Sequence, residues 1–371
     1  MVGGALLIRQ LQLLPFRNFD RLELNLGARG ALIIGDNGNG KSNILEAISY
    51  LSLGKSIRGA RDHEAVPHDG DWFDIRGTWE DGERQRQARV FYSGEEGKRV
   101  FLDGAPLQRV SELVSQFHTV HFAPEDVALV LQFSARRRRL LDILISQASS
   151  GYLQSLQRYG RVLTQRNHFL RHLGQRRADS AERDVWDGQL AEPGALIRRA
   201  RLEALVDIAP VLHRCYEGFS TGRETAGIEY QGVGPPETVD EIPCLDVLHD
   251  TLRDELRADP VREQRAGHTL AGPHRDSFGF TLDAESAQTY GSQGQLKSLL
   301  LSWKMAESRY LEARCGHQPV LLFDDVFSEF DATRSQQLLS LADGFDQVIL
   351  TAPRAPSDEV PARYERIELS T

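Results

Sequence analysis

The sequence predicts an α/β fold: a parallel-sheet domain split by a large, mainly helical insertion. Three observations carry this prediction. Strand-like and helix-like stretches alternate at both ends of the 371-residue chain, the pattern of an α/β domain. An almost unbroken helical pattern, poor in Gly and Pro and rich in Leu and Arg, runs from residue 125 to about 215. Finally, a glycine-rich loop at Gly35–Ser42 finds its chemical complement, an apolar run ending in acids at 319–325, only at the far end of the chain.

Residues 6–14 and 21–27 alternate as strands around a turn at Phe16-Arg17-Asn18. Ala31–Ile34 is a short apolar run and reads as a buried strand. Ser42–Leu53 places Ile44, Leu45, Ile48 and Leu51 on a helical face, with Gly54 as its stop. From 70 to 107 the pattern is antiparallel: Arg86–Tyr92 and Lys98–Leu102 flank a Ser-Gly-Glu-Glu-Gly turn, and Asp103-Gly104 makes another. Residues 223–266 are acidic, carry Gly-Pro-Pro-Glu at 234–237, and read as loops with a short helix. Thereafter come a helix over 296–311, a strand over 319–323, a helix over 332–342 and a strand over 347–350. The expected division is 1–120 for the first part of the α/β lobe, 121–267 for the helical lobe and 268–371 for the return. No heptad pattern is sustained, so no long coiled coil is expected.

Composition excludes several classes. The net charge of −9 rules out a uniformly basic nucleic-acid coat. It conceals an asymmetry: residues 121–201 hold fourteen arginines against eight acidic residues, a net of +6, so the remainder carries −15. Cys215, Cys244 and Cys315 are odd in number and scattered, which predicts a reducing, cytoplasmic setting without disulfides. No apolar run approaches membrane-spanning length, so no membrane partner is expected.

Gly35-Asp36-Asn37-Gly38-Asn39-Gly40-Lys41-Ser42 fits G-x-x-x-x-G-K-[ST] between a strand and a helix. Glycines let backbone N–H groups curl around phosphates, and the helix N-terminus adds the positive end of its dipole. Only five lysines occur in the chain, which gives Lys41 weight; its role would be to neutralise phosphate oxygens, while Ser42 ligates Mg²⁺. The loop from Gly35 to Asn43 is therefore the expected ATP-binding segment. Val320–Phe323 ends in Asp324 and Asp325 at the carboxyl end of a predicted central strand, where open α/β sheets bind ligands. Asp324 is expected to hold Mg²⁺, directly or through water, and Asp325 to polarise the attacking water.

The wide separation of these motifs points to the ABC-type ATPases. A third motif agrees: Ser292-Gln293-Gly294-Gln295 at a helix start matches their signature, whose serine and glycine amides form an anion site; in isolation the same residues read as a helix cap. Against ABC transporters, Asp325 stands in place of a catalytic glutamate and Thr351 where a switch histidine is expected, which predicts slow hydrolysis. Gln132 is a weak Q-loop candidate.

The chain resembles the RecF family, ABC-type P-loop ATPase heads related to SMC heads, along nearly its whole length. The resemblance is carried by Phe16-Arg17-Asn18-Phe19, by Gly35–Ser56, and by Phe122–Asp126. In the helical lobe it continues through Arg137-Arg138 to Asp142, Gln165-Arg166-Asn167 and Trp186-Asp187. It ends with the Gly272-Pro273-His274-Arg275-Asp276 motif, the signature, and Ser328-Glu329-Phe330-Asp331 as D-loop. Phe330 replaces a usual leucine, and Leu296-Lys297 a usual Gln-Arg. The resemblance implies a weak DNA-dependent ATPase of recombination, replication, DNA repair and the DNA-damage (SOS) response. Such a protein would use ATP and Mg²⁺ to dimerise on double-stranded DNA near gap junctions and help load recombinase through RecR, with RecO. Lys41, Asp324, Asp325 and Ser292 would be catalytic, with Ser292, Gln293, Gly294 and Gln295 completing the site from the other subunit.

The basic block is the expected DNA surface, above all Arg136, Arg137, Arg138 and Arg139, with Arg171, Arg176, Arg177, Arg198, Arg199 and Arg201 beyond, since arginine grips phosphate without reading sequence. Taken singly, each arginine reads first as part of a solvated or salt-bridged helix face; it is the cluster as a whole that reads as a DNA surface. Arg275 either structures the lobe junction or touches nucleotide or DNA, and His274 reads as a packed, hydrogen-bonded histidine. A transport ATPase would need the signature about 100 residues after the loop, a small-molecule P-loop kinase would need none, and a non-hydrolysing DNA clamp differs only in turnover.

Overall fold

In the computed structural model, residues 4–123, 126, 133–172, 180–220, 222–231, 241–328, 332–354 and 363–369 are described. The chain divides into two compact units: Met1–Ala128 with Gly218–Thr221 and Lys297–Thr371, and Leu129–Glu217 with Gly222–Leu296. The second unit returns to the first after Leu296, further on than the 267/268 division expected from composition.

The first unit opens with β1 (Leu6–Leu14), β2 (Leu22–Asn25), β3 (Gly30–Ile34) and α1 (Lys41–Leu53), followed by β4 (Trp72–Asp81), β5 (Arg84–Ser93), β6 (Gly97–Leu102), β7 (Ala105–Pro106) and β8 (Thr119–Phe122). An antiparallel sheet has the order β2-β1-β4-β5-β6-β7. In β1 the buried set changes phase, Leu6 and Ile8 and then Leu11 and Leu13, because the register with β4 shifts between Ile8 and Gln10, as a bulge requires. The buried face meets α1 in one core with Ile33, Ile44, Ile48, Leu51, Ile75 and Trp79. Phe16, Tyr50 and Phe73 pack edge to face with centroids 5.4–5.8 Å apart.

In the second unit the chain forms α2 (Ser134–Ala148), α3 (Ser150–His172), α4 (Ser180–Ser220), β9 (Ala226–Gln231), α5 (Leu245–Arg257), α6 (Pro260–Ala266), β10 (Ser277–Leu282), β11 (Glu285–Ser286) and α7 (Ala287–Tyr290). The division between units falls within α8 (Gln293–Cys315), and β12 (Val320–Phe323), α9 (Ala332–Ala342), β13 (Val348–Ala352) and β14 (Glu365–Glu368) complete the first unit. There the order β14-β3-β13-β12-β8 forms a wholly parallel sheet. Its strands β3, β12 and β13 read as continuous apolar runs because both faces are covered. Gln347 ties the two sheets: its amide accepts from Ile8 N–H at 2.8 Å and donates to Ile8 and Gly27 carbonyls at 2.8 and 2.9 Å.

One expectation for the second unit is corrected. Residues 223–266 contain a strand, not only loops and helix: β9 pairs antiparallel with β10 from Ala226↔Leu282 to Ser277↔Gln231. A six-residue strand whose partner lies some fifty residues on has no local turn signal to announce it. Several helical arginines take the salt-bridged reading expected of any one of them. Arg166 is buried against Asp187 and Glu263 at 2.8 and 2.7 Å. Arg198 is buried against Glu255 and Asp276 at 2.7 and 2.9 Å, and Arg201 against Asp142 at 2.8 Å. Buried guanidinium groups need paired carboxylates, and these three join α2, α3, α4, α5 and α6 to one another and to Asp276 in the turn before β10. Gly194 lets α4 approach α5, since a Cβ there would lie 2.4 Å from Leu252.

Candidate functional site

The loop after β3 and the acid after β12 meet at the carboxyl ends of adjacent parts of one parallel sheet, with β13 between them. Gly40 adopts φ +88°, and a Cβ there would lie 2.5 Å from the Phe19 ring and 2.6 Å from the Asn18 amide; glycine alone fits. The Phe16–Phe19 turn therefore braces the loop from below. Asn43 Nδ2 donates to Asn18 Oδ1 at 2.8 Å. Arg17 grips the buried Glu46 of α1 with two hydrogen bonds of 3.0 and 2.8 Å, and Ser56 also donates to Glu46. Gly38, φ +97°, has open space where its Cβ would point.

Lys41 is 7% exposed, and its ammonium donates to the loop's own Gly35 and Asp36 carbonyls at 2.5 and 3.0 Å. Among the described residues it has no carboxylate partner. Ser42 Oγ donates to Asp324 Oδ1 at 2.9 Å, which brings together two groups far apart in sequence. Thr351 of β13 donates to the same Asp324 oxygen at 2.8 Å and accepts from Asp325 N–H at 2.8 Å. Asp325 sits at φ +44°, a left-handed conformation that Asp tolerates better than most residues, and its carboxylate accepts from Ser328 Oγ at 2.6 Å. The oxygen donors Ser42 and Asp324 suit Mg²⁺, which proteins hold through one or two carboxylates together with substrate phosphates. Glu329, Phe330, Asp331 and Gln132 lie outside the described residues.

In the second unit, the signature forms a reciprocal capping box at the start of α8. Ser292 N–H donates to Gln295 Oε1 at 2.7 Å and Gln295 N–H donates to Ser292 Oγ at 3.3 Å. Gln295 Nε2 donates onward to Glu224 at 2.6 Å. Ser292 and Gln293 are exposed, and Gly294 is half-buried. The cap thus fixes an exposed helix N-terminus whose serine hydroxyl proton is not used by the cap.

The arginine run does not act as one surface. Arg137 is 7% exposed; it donates to the Phe278 carbonyl and, at 3.3 Å, to Ser277 Oγ, fastening α2 to β10. Arg137 is thus not the solvent-facing DNA contact expected of it, because it is nearly buried and bonded inside the unit. Arg138 is half-buried and donates to the Asp276 carbonyl at 2.7 Å. Arg136 and Arg139 are half-buried, whereas Arg198 and Arg201 are buried in ion pairs. Arg199 pairs with Glu203 at 2.8 Å, Arg171 is exposed, and Arg176 and Arg177 lie outside the described residues.

His274 meets the Tyr159 hydroxyl through Nδ1 at 2.7 Å and the Thr269 carbonyl through Nε2 at 3.2 Å. Burial pushes its pKa down to about 4. In the folded state it stays neutral where an unfolded histidine protonates, so its stabilising contribution is full above pH 6.5 and is lost as pH falls through 4. His274→Gln, which can make both hydrogen bonds but cannot protonate, is expected to flatten the pH dependence of stability between these limits by about 2–3 kcal/mol. Urea unfolding of both proteins at pH 7 and pH 4 measures the difference, and parallel profiles would refute it.

The family model for the RecF/RecN/SMC N-terminal domain matches residues 7–361. The DNA replication and repair protein RecF of Heliobacterium modesticaldum is 38% identical over 334 residues, covering 90% of this chain and 88% of that protein. The chain belongs to the RecF family. A solved structure of the recombination mediator protein RecF-ATPrS in the RecFOR pathway superposes with a TM-score of 0.88 at 29% identity, over 97% of this chain and 95% of that one. An Smc head bound to the C-terminal winged-helix domain of ScpA superposes at 0.53 and 14% identity, over 94% of this chain and 90% of that one, and shares the fold alone. The fold is thus the SMC-type ABC ATPase head with an inserted, mainly helical unit. Among the described residues no long coiled coil is present, and no helix is long and apolar enough to cross a membrane.

Within this RecF-family site, sequence reasoning noticed Thr351 only as a missing histidine. Its work is to hold both acids, and the available signal was a lone hydroxyl in the otherwise apolar Val348–Ala352 run. Arg17, Asn18 and Glu46 support the loop rather than line it. Arg17 and Asn18 share one turn, but Glu46 lies 29 residues beyond Arg17, and no spacing rule joins it to them.

Proposed function

We propose that this chain is an ATP-dependent DNA-binding protein of recombinational repair and replication-fork maintenance, with weak, DNA-dependent ATP hydrolysis. The observation that carries this reading is Lys41: a nearly buried ammonium, satisfied among the described residues only by loop carbonyls, in the mouth of a glycine loop whose Ser42 already touches Asp324. An uncompensated cation among backbone N–H groups at a helix start selects a polyphosphate.

In this reading Gly35–Asn43 hold the ATP phosphates, Lys41 meets the β- and γ-phosphate oxygens, and Ser42 and Asp324 hold Mg²⁺. Bound there, Mg²⁺ would neutralise charge on the transferring phosphate. Thr351 keeps Asp324 aimed at Ser42 and, through the Asp325 N–H, sets the backbone from which the Asp325 carboxylate orients water. The exposed cap Ser292–Gln295 completes the site on the nucleotide of a second subunit, so ATP links a homodimer. The dimer would close on double-stranded DNA near gap junctions and assist recombinase loading through RecR and RecO in the cytoplasm, with slow hydrolysis as release timer. The names of the relatives, DNA replication and repair protein RecF and RecF of the RecFOR pathway, support this assignment.

Asp325→Asn tests the division of labour between the acids. ATP affinity should stay within about threefold of wild type, while turnover falls by at least roughly tenfold, because a water-orienting group is lost and the Mg²⁺ acid is kept. Equilibrium nucleotide titration and phosphate release measure both quantities, and unchanged turnover would exchange or void the two roles.

A further inference from the structure

The Gly272–Asp276 turn is held from every side but one. Gly272 adopts φ +118°, and a Cβ there would lie 2.5 Å from the Tyr159 hydroxyl. The Pro273 carbonyl accepts from Arg201 at 2.7 Å. His274 is bonded at both ring nitrogens. The Asp276 carboxylate accepts two hydrogen bonds of 2.9 Å from Arg198 and one of 2.8 Å from the Tyr230 hydroxyl. The turn closes on itself through Arg275 N–H to the Gly272 carbonyl at 2.7 Å. Only the Arg275 side chain leaves this knot. It is exposed, and among the described residues its guanidinium has no hydrogen-bond or ion-pair partner.

Arg138 stands close by. Its guanidinium is bonded to neutral oxygens, the Asp276 carbonyl at 2.7 Å and the Ser134 hydroxyl at 3.2 Å, and makes no ion pair among the described residues. Burial, and then the neighbouring charge of Arg201, press its pKa below the ordinary arginine value; the Asp142 and Asp276 carboxylates oppose this and Arg275 adds to it. Arg138 is bonded to the carbonyl of the residue that follows Arg275, and neither guanidinium has a carboxylate within ion-pair distance among the described residues, unlike Arg198 and Arg201. An anion between them would relieve the repulsion, and guanidinium geometry matches the paired oxygens of a phosphate.

We propose that Arg275, with Arg138 beside it, is a fixed grip for a backbone phosphate of double-stranded DNA. The knot immobilises the backbone under Arg275, so only the side chain itself has to be ordered on binding. The proposal rests on the DNA-binding reading above and replaces the buried Arg137 as the contact at this place. A phosphate could also come from nucleotide, so both ligands are measured.

The test uses the full-length protein with Arg275→Ala and Arg275→Lys, exposed substitutions that leave the knot intact. Duplex DNA affinity is measured over a series of salt concentrations, and ATP affinity separately. For Arg275→Ala, affinity at low salt should fall about five- to tenfold, and the slope of log K against log salt should shrink by about 0.9, the loss of one phosphate contact. Arg275→Lys should retain the slope, and ATP affinity should be unchanged in both. If wild type binds DNA and Arg275→Ala binds it with the same slope and affinity, the grip is refuted and the DNA-binding reading stands. If ATP affinity falls while DNA binding does not, the phosphate is the nucleotide's and the proposal is wrong. Failure of the wild-type protein to bind duplex DNA would overturn both readings together.

Discussion

Lys41→Met is expected to weaken ATP binding by roughly 10²- to 10⁴-fold, the loss of charge-assisted hydrogen bonds to two phosphate oxygens at about 1.5–3 kcal/mol each. The unliganded protein should not be destabilised. Lys41 is nearly buried, and among the described residues its partners are the Gly35 and Asp36 carbonyls alone, so the thioether relieves a desolvated charge while removing two local hydrogen bonds. Two melting curves separate these effects. The ligand-free midpoint should match or exceed that of wild type, and the upward shift produced by saturating Mg-ATP in wild type should vanish. A variant that retains the ATP-induced shift would remove the loop from the nucleotide site.

Ser292→Asp should abolish ATP-dependent dimerisation and the hydrolysis that depends on it, while leaving each subunit able to bind ATP through its own Gly35–Ser42 loop. The choice of aspartate follows from the cap. Ser292 accepts from Gln295 N–H, and Asp caps a helix as well as Ser does, so the fold is preserved. If the exposed cap faces a γ-phosphate across a dimer seam, however, the substitution places a carboxylate against a polyanion. Ser292→Arg removes the cap as well, at about 1 kcal/mol, and blocks the seam by bulk. Light scattering with and without ATP reads the outcome; Ser292→Asp protein that dimerises like wild type would leave Ser292 as a helix cap and nothing more. Mixing Ser292→Asp with Lys41→Met protein adds a check, because one composite site in that heterodimer joins an intact loop to an intact signature and should restore part of the activity.

The altered view of the arginines changes which variants are informative. Reversing Arg137, Arg138 and Arg139 together to Glu would place a carboxylate where Arg137 now donates to the Phe278 carbonyl. Loss of DNA binding by that protein would report unfolding of the contact between α2 and β10 as readily as a lost phosphate. Arg275→Ala avoids this, since the side chain it removes is exposed.

Segments whose chemistry is local or periodic were legible in the residues alone. The Gly35–Ser42 loop, its flanking strand and helix, and the acid-tipped β12 are contiguous segments whose residue types and spacing follow from backbone freedom, helix dipole and burial on both sheet faces. The asymmetric charge and the helical period likewise announced an inserted second lobe. Which side chains face one another follows from the three-dimensional fold. Thr351 becomes the support of Asp324 because parallel pairing lays β13 beside β12. Arg137, Arg166, Arg198 and Arg201 prove to be internal fasteners, while Arg275 alone leaves the 272–276 knot, because carboxylates and carbonyls from distant segments reach the first four and not the fifth. A guanidinium has the same composition whether it is buried against a carboxylate or open to water. Its partner is set by the fold, and no count of arginines along the chain contains that information.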